Sequence, residues 1–345
     1  MNVGATRDLR ADNALILPAW IGLTTIALAL SVFMGVVDIP PVDVIAALVG
    51  KGSAQARSII IDIRLPRVLV GMVVGVHFAV AGFILQSITR NPLADPSIMG
   101  ISQGATLAVG VFLLFSVYIH NPGSNTLAEL PLAWLPSIAI IGGLLAGLAI
   151  YAMAFGRNLG PIRLTICGVA VGALLHAVAI GLIAGWGSAR IEILLEWLSG
   201  SLYARSWDHL RYLLPFTVVG LAMLPLIRRP LTMLRFDSSV SRSFGLSHKL
   251  HFSLALALAC CLAASAVGVA GPIVFVGLIV PHLARFLAGR RFALVLPFTL
   301  ALGIVVVTLG DLVGRLAGGA EEIPIGVVTA IFGAPLLLVL LRRMA

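Results

Sequence analysis

Charge is what this chain has least of. Of its 345 residues only 11% are charged, 14 are acidic, and 60% are hydrophobic. A soluble domain carries roughly 25% charged residues, so a soluble chain of this composition could not cover its own surface. Within the long apolar runs, His77 and His176 are the exceptions to an almost complete lack of ionisable groups. Each reads either as a functional group or as a neutral histidine hydrogen-bonded to a neighbouring helix. Ion-coupled transporters usually need carboxylates or unwound carbonyl sites near the midplane. The runs hold no carboxylate relay, so the energy for any transport is expected to come from another chain. No G-x-x-x-x-G-K-[ST] phosphate loop is present; Gly50-Lys51-Gly52 is the nearest approach and lacks the Ser or Thr. H-E-x-x-H and C-x-x-C are absent too. The three cysteines, Cys167, Cys260 and Cys261, all sit in apolar runs and form neither a disulfide framework nor a metal knuckle. No catalytic residue, metal ligand or resident cofactor is therefore expected.

What is present is a series of membrane-length segments. A helix crosses the hydrocarbon core with about 20 residues. Runs of that kind cover Leu15–Val37, Val68–Thr89, Leu132–Phe155, Leu164–Gly185, Tyr212–Ile227, Phe292–Gly310 and Ile323–Leu341. The first follows Arg7 and Arg10 without an A-x-A-like cleavage site and reads as a retained helix. Two charge-free stretches exceed a single span. Pro96–Ala128 holds a third span and then a turn at Asn121-Pro122-Gly123. Leu250–Ala284 holds a seventh span, a break around Gly268–Pro272, and a short eighth segment. Ile273–Leu283 would reach only roughly 16 Å as a helix, so a half-span packed inside protein is expected. The fold class is thus all-α: one polytopic membrane domain over residues 1–345, with about ten transmembrane helices.

The net charge of +9 does not indicate nucleic acid, because no basic, aromatic-interleaved soluble segment exists to carry it. It marks orientation instead. With the N-terminus inside, the inner segments hold most basic residues, including Arg90, Arg157, Arg163, Arg228, Arg229, Arg235, Arg242, Arg285 and Arg342. The positive-inside rule then places both termini in the cytoplasm.

Two polar regions stand out. The longest inner loop, Arg228–Lys249, contains a short helix from Asp237 to Phe244. Asp237 or Ser238 would cap it, Gly245 would end it, and Phe236 and Phe244 would give it an apolar anchor. A plain connector needs neither this length nor the aromatic pair, so the segment reads as a docking helix. On the outer side, Arg64 and Arg67 flank a proline at the mouth of the second span, and Arg315 lies between the ninth and tenth. They either snorkel to headgroups or present their forks to a partner.

Several motifs, in order, resemble the FecCD-type permeases of ABC importers. They are Arg64-Leu-Pro-Arg67; Gln86, then Arg90-Asn-Pro-Leu-Ala-Asp-Pro96; Gly100-Ile-Ser-Gln-Gly104; Trp197-Leu-Ser-Gly-Ser-Leu202 and Trp207; Ala270 through Arg285; Gly310-Asp311 to Arg315; Glu322 through Thr329; and Gly333-Ala-Pro335. The resemblance covers about Ile63 to Arg343. It implies a type II importer fold with two permease subunits, identical or paralogous, around one path in the bacterial inner membrane. It also implies a cytoplasmic ATPase dimer that uses the ATP, and a periplasmic or lipid-anchored substrate-binding protein.

In that family the loop before the seventh helix couples to the ATPase, which here points to Phe236, Asp237, Ser238, Arg242, Ser243, Phe244 and Gly245. One of the family's two acids in this loop is missing. The resemblance assigns Arg64, Arg67 and Arg315 to docking the binding protein. Helix breaks near the pathway are expected at Asn91, Pro92, Gly271, Pro272 and Pro281. The Trp197–Trp207 loop is similar to the siderophore branch, which implies a ferric siderophore as cargo, with haem and vitamin B12 as the alternatives. A secondary transporter without an ATPase is the reading from another class.

Overall fold

The computed structural model describes residues 9–115, 134–154, 161–184, 198–289 and 292–342. Every regular element among them is helical. Six stretches are long and apolar enough to cross a membrane: Ala54–Thr89, Leu135–Ala154, Pro161–Leu182, Trp207–Leu234, His248–Ala270 and Leu294–Gly318. Four shorter apolar helices accompany them, Pro18–Phe33, Ile101–Leu113, Val276–Ala288 and Ile325–Val339. The turn expected at Asn121-Pro122-Gly123 lies outside the described residues, as does Trp197.

Helix α1 (Leu9–Phe33) is followed by two short helices, α2 (Pro41–Leu48) and α3 (Ala54–Arg57), which lie between the first two runs of span length. Both carry local start signals: Pro41 at the first helical position of α2, and Ser53, whose hydroxyl accepts from Ala56 N at 3.1 Å ahead of α3. Val44, Ala47, Ala56 and Ile60 pack with Val32 and Val68 in a small core of their own. A π-helical stretch, Ser58–Arg64, then runs without interruption into α4 (Leu65–Thr89).

Helix α4 is the axis of the domain and is buried along almost its whole length. Around it stand α8 (Trp207–Leu234), α10 (His248–Ala270), α11 (Val276–Ala288) and α12 (Phe292–Gly318). Helices α5 (Ile101–Leu113), α6 (Leu135–Ala154) and α7 (Pro161–Ala184) pack beside them, with α6 against α10. Helix α9 (Ser238–Ser243) links α8 to α10, and α13 (Ile325–Arg342) closes against α12.

Such close packing around α4 depends on small residues, since apolar side chains alone give no preference for a helix over lipid. A Cβ placed on Gly303 of α12 would sit 2.6 Å from the Gly75 carbonyl oxygen, and one on Gly82 would overlap the Gly277 carbonyl. These two contacts bring α12 and α11 against the axis backbone to backbone.

The end of α8 and the place of Pro281 differ from expectation. Helix α8 does not stop at Ile227: it continues through Arg228, Arg229 and Pro230 to Leu234. Burial of Ile227, Leu231 and Leu234 on one face outweighs the two charges and the proline. The break after α10 falls within the expected Gly268–Pro272. The helix persists to Ala270, and Gly271, at φ 72° and ψ 179°, adopts a backbone that only glycine takes without strain. The irregular segment 271–275 ends at Phe275, which is left-handed at φ 69°. Helix α11 follows, 13 residues long, with Val276–Pro281, Ala284 and Ala288 buried. Pro281 was expected to break the chain but lies inside α11.

Candidate functional site

The groups that could carry function lie at the two ends of α4, with one polar cluster between them. At the Arg64 end, the three arginines expected to reach outward are turned inward. Arg64 and Arg315 are 4% exposed and Arg67 is 8% exposed. Their first task is helix chemistry. The last carbonyls of α1 have no intrahelical partner, and the guanidinium groups supply one. Arg64 Nη1 donates to the Val32 and Phe33 carbonyls at 3.1 Å, and Arg64 Nη2 donates to Val37 O. Arg315 Nη2 donates to Ser31 O at 3.1 Å, and Nη1 to Met34 O at 3.4 Å.

Arg67 is held differently. Its Nε and Nη2 donate to Asp311 at 2.7–3.1 Å, and Nη1 and Nη2 donate to the two oxygens of Glu322 at 3.0 and 2.8 Å. Asp311 also lies 3.1 Å from Arg315 Nε, one turn along α12. Three cations and two carboxylates thus tie α1, α4, α12 and the start of α13 together. The free forks expected from the sequence are absent in this chain because internal acceptors occupy them, and the burial leaves no room for snorkelling.

The segment 198–203 seals the same end. Ser201 N donates to the Ala270 carbonyl at 2.8 Å, and Gly326 N to the Gly200 carbonyl at 3.4 Å. Leu202 is 1% exposed. Trp207 Nε1 donates to Ile61 O at 3.0 Å, fixing the start of α8 to the π-helical stretch.

Between the ends, His77 sits with Nδ1 2.9 Å from Ser265 Oγ and Nε2 2.9 Å from Thr217 Oγ1, joining α4 to α10 and α8. His176 instead stands on the exposed face of α7. Gly100–Gly104 spells G-x-S-x-G, a pattern that in hydrolases exposes a serine at a strand-to-helix turn. Here it opens α5 after a loop, and Ser102 is 2% exposed, so the nucleophile geometry is missing.

At the other end of α4, Gln86 resolves the anomaly of Pro281. A proline inside a helix removes the N–H that should meet the carbonyl four residues earlier, which here is Gly277. Gln86 Nε2 donates to Gly277 O at 3.2 Å and to Leu278 O at 2.9 Å. Gln86 Oε1 accepts from Arg285 Nη1, one turn beyond the proline. One amide therefore pins both halves of α11 to the axis.

Asn91 and Pro92 lie in the turn that follows α4, where Asn91 Oδ1 accepts from Leu93 N at 2.9 Å. Asp95, in the same loop, is 2% exposed. Ser97 N donates to Asp95 Oδ1 at 2.7 Å. Burial pushes the Asp95 carboxyl above its usual range, and the hydrogen bonds from Ser97 oppose that shift.

Arg90 caps α4 in the left-handed conformation, φ 54°. From there it reaches the α8–α9 junction. Nε donates to Leu234 O at 3.2 Å, Nη1 to Asp237 Oδ1 at 2.6 Å, and Nη2 to Phe236 O. Asp237 occupies the N-cap position of α9, but its side chain makes no cap bond. Its carboxylate is used by Arg90 instead, a correction to the expected cap.

Within α9, Ser241 Oγ donates to Met233 O at 2.8 Å and Arg242 Nε to Ser238 O at 3.0 Å; Ser243 Oγ donates to Val240 O at 2.8 Å. Gly245 follows at φ 76°. Phe236, Val240 and Phe244 recur every four residues and are 53%, 40% and 73% exposed. The two rings therefore do not anchor the segment inward. Phe236 before the helix, Val240 within it and Phe244 at its C-cap form a stripe of exposed apolar side chains on a segment clamped to the central axis.

The sequence reading missed Arg90, Arg285, Asp311 and Glu322 as partners. The Gln86 contact had a visible signal, since a proline within an apolar helix implies an orphan carbonyl four residues back. The acceptors of Arg64 and Arg315 are backbone carbonyls, which leave no trace in residue identity.

Among known proteins, the model of the FecCD transport family matches residues 23–343. The iron(3+)-hydroxamate import system permease protein FhuG of Bacillus subtilis (strain 168) is 32% identical, covering 93% of this chain and 94% of its own. The Fe(3+) dicitrate transport system permease protein FecD of Escherichia coli (strain K12) is 34% identical over 93% and 97%. The ferric enterobactin transport system permease protein FepD of the same strain is 33% identical over 97% of each chain. A solved metal-chelate type ABC transporter in an inward-facing conformation superposes with a TM-score of 0.81 at 26% identity, covering 95% of this chain and 99% of that one. On the strength of a family match that spans nearly every helix described above, the chain belongs to the FecCD transport family.

Proposed function

We propose that the chain is the membrane-spanning subunit of an ATP-driven importer that carries a ferric chelate, with a siderophore as the cargo class. The reading rests on the exposed Phe236–Val240–Phe244 stripe, joined to the axis of the domain by Arg90. An apolar stripe of that kind at a polar end of a membrane protein calls for a protein partner. A separate ATPase dimer is the partner that supplies what the chain lacks, a nucleotide site. The cargo class follows from the family relatives, whose names specify ferric hydroxamate, citrate and enterobactin permeases.

In this reading the six long and four shorter apolar helices make ten membrane segments, α11 being the buried half-span. The α9 end faces the cytoplasm of a bacterial inner membrane, with both termini on that side. A second permease, identical or paralogous, completes the path. The binding protein docks on the opposite end around Arg64, Arg67 and Arg315. Because these arginines are committed internally, docking through them requires a carboxylate of the partner to displace Asp311, Glu322 or a carbonyl of α1.

The test is deletion of Asp237–Gly245 in the assembled complex. The variant is expected to keep its membrane fold and lose its ATPase. Copurification of the ATPase at the wild-type ratio would remove the docking assignment.

A further inference from the structure

Near the α9 end a groove opens between α8 and α12, with α4 beneath it. The groove has an apolar floor formed by Phe83 of α4, Leu224 of α8, and Leu296 and Leu300 of α12. It holds two adjoining cavities of about 150 and 560 Å³. Arg228 lines both cavities and Arg229 the larger, and both side chains are exposed. Neither guanidinium has an ion pair or a hydrogen bond among the described residues, and no acidic residue lines either cavity. This differs from every arginine at the two ends of α4 considered above, each of which is committed to an acceptor.

An apolar slot beside a helix of span length, topped by two unpaired forks near the helix end, matches a single amphiphile. The acyl chain lies along Phe83, Leu296 and Leu300, and the phosphate meets the guanidinium pair. Arginine suits a phosphate because it offers a planar, bidentate donor set. Basic pockets between transmembrane helices on the cytoplasmic side are recognised sites for anionic lipid headgroups. We propose that this groove binds one anionic phospholipid of the leaflet on the α9 side. The consequence for the domain is mechanical. Arg228 and Arg229 lie on the last two turns of α8, so the bound lipid holds the helix that leads into the segment with the apolar stripe.

The inference takes from the proposed function only the orientation that sets the α9 end in the cytoplasm. Lipid retention by the purified protein is independent of that orientation, and of cargo and ATPase, so the two readings fail separately. The assay is native mass spectrometry of the assembled complex in detergent, loaded with phosphatidylglycerol or with phosphatidylcholine of the same chains. Wild type should retain phosphatidylglycerol at least about tenfold more than phosphatidylcholine, and 10 mM inorganic phosphate should not displace it. The Arg228→Gln/Arg229→Gln pair should abolish that preference, while the Lys/Lys pair should keep most of it. Leu296→Trp fills the groove without touching charge and should also lower retention. Arg163→Gln, at an exposed arginine on α7, should leave it unchanged. Equal retention of the two lipids by wild type, or full retention by the Gln pair, would overturn the proposal. So would an equal loss in Arg163→Gln, which would reveal general surface charge rather than a built site.

Discussion

Replacing Arg67 by glutamine separates a structural arginine from one held ready for a partner. Arg67 spends all three of its guanidinium nitrogens on two carboxylates, at 2.7–3.1 Å. Asp311 is 5% exposed and Glu322 half-buried. Breaking a buried pair by removing one partner typically costs about 3–5 kcal/mol, because the surviving charge is stranded. Asp311 keeps Arg315 at 3.1 Å, which moderates the loss, whereas Glu322 keeps no other ion pair among the described residues. We therefore expect Arg67→Gln to destabilise the domain by about 3 kcal/mol. Adding Glu322→Gln should recover part of that, since the amide removes the carboxylate left without a cation while Asp311 keeps its pair with Arg315. The assay is equilibrium unfolding of the purified protein in mixed detergent micelles, with the variants combined as a mutant cycle. A loss below about 1 kcal/mol for Arg67→Gln, the level of an exposed pair, would refute the claim that the network holds four helices together. Docking of the binding protein would then stand as the main task of these arginines.

Gln86→Leu removes the donor that answers the Pro281-orphaned carbonyl, and a buried unsatisfied carbonyl costs about 1–3 kcal/mol. Unfolding measurements should show that loss, and Gln86→Leu combined with Pro281→Ala should recover part of it, because the backbone N–H returns; an unchanged Gln86→Leu would remove the explanation. At Asp95 the folded carboxyl is raised by burial, so its contribution to stability is full below the unfolded carboxylate range and declines as pH rises through the folded value. Asp95→Asn should flatten the stability profile on the alkaline side of about pH 4, and an identical wild-type slope would show that Asp95 titrates normally. Arg90→Ala breaks a pair whose acid is 79% exposed, so stability should change by about 0–1 kcal/mol. Transport per ATP hydrolysed by the assembled complex should nevertheless fall, because α9 is no longer tied to α4; an unchanged ratio would show that the clamp transmits nothing.

The helices were legible where composition alone decides them. Charge-free runs of span length lie at the centres of α1, α4, α6, α7, α10 and α12, because in hydrocarbon a helix satisfies its own backbone bonds and only apolar side chains are tolerated. The boundaries failed where tertiary burial outweighed a local signal. Arg228, Arg229 and Pro230 look like the start of a loop, yet Leu231 and Leu234 carry α8 onward. Pro281 looks like a break, yet Gln86 supplies the missing donor from another helix. The short helices α2 and α3 had no run of span length to announce them. At the site, the identity of α9 and its two phenylalanines could be read directly, since both are local. The fate of Arg64, Arg67 and Arg315 could not. Their acceptors come from α1, α12 and the approach to α13, and three basic residues near one end of a membrane bundle look the same in sequence whether they point out or in.

The most direct test of the central claim is uptake of an iron-55 siderophore chelate into proteoliposomes. These hold the chain with its ATPase, and the loaded binding protein is added outside. The account predicts uptake only when ATP is enclosed with the ATPase, and none when a proton or sodium gradient is imposed on vesicles containing the chain alone. Gradient-driven uptake by the chain without an ATPase would contradict it.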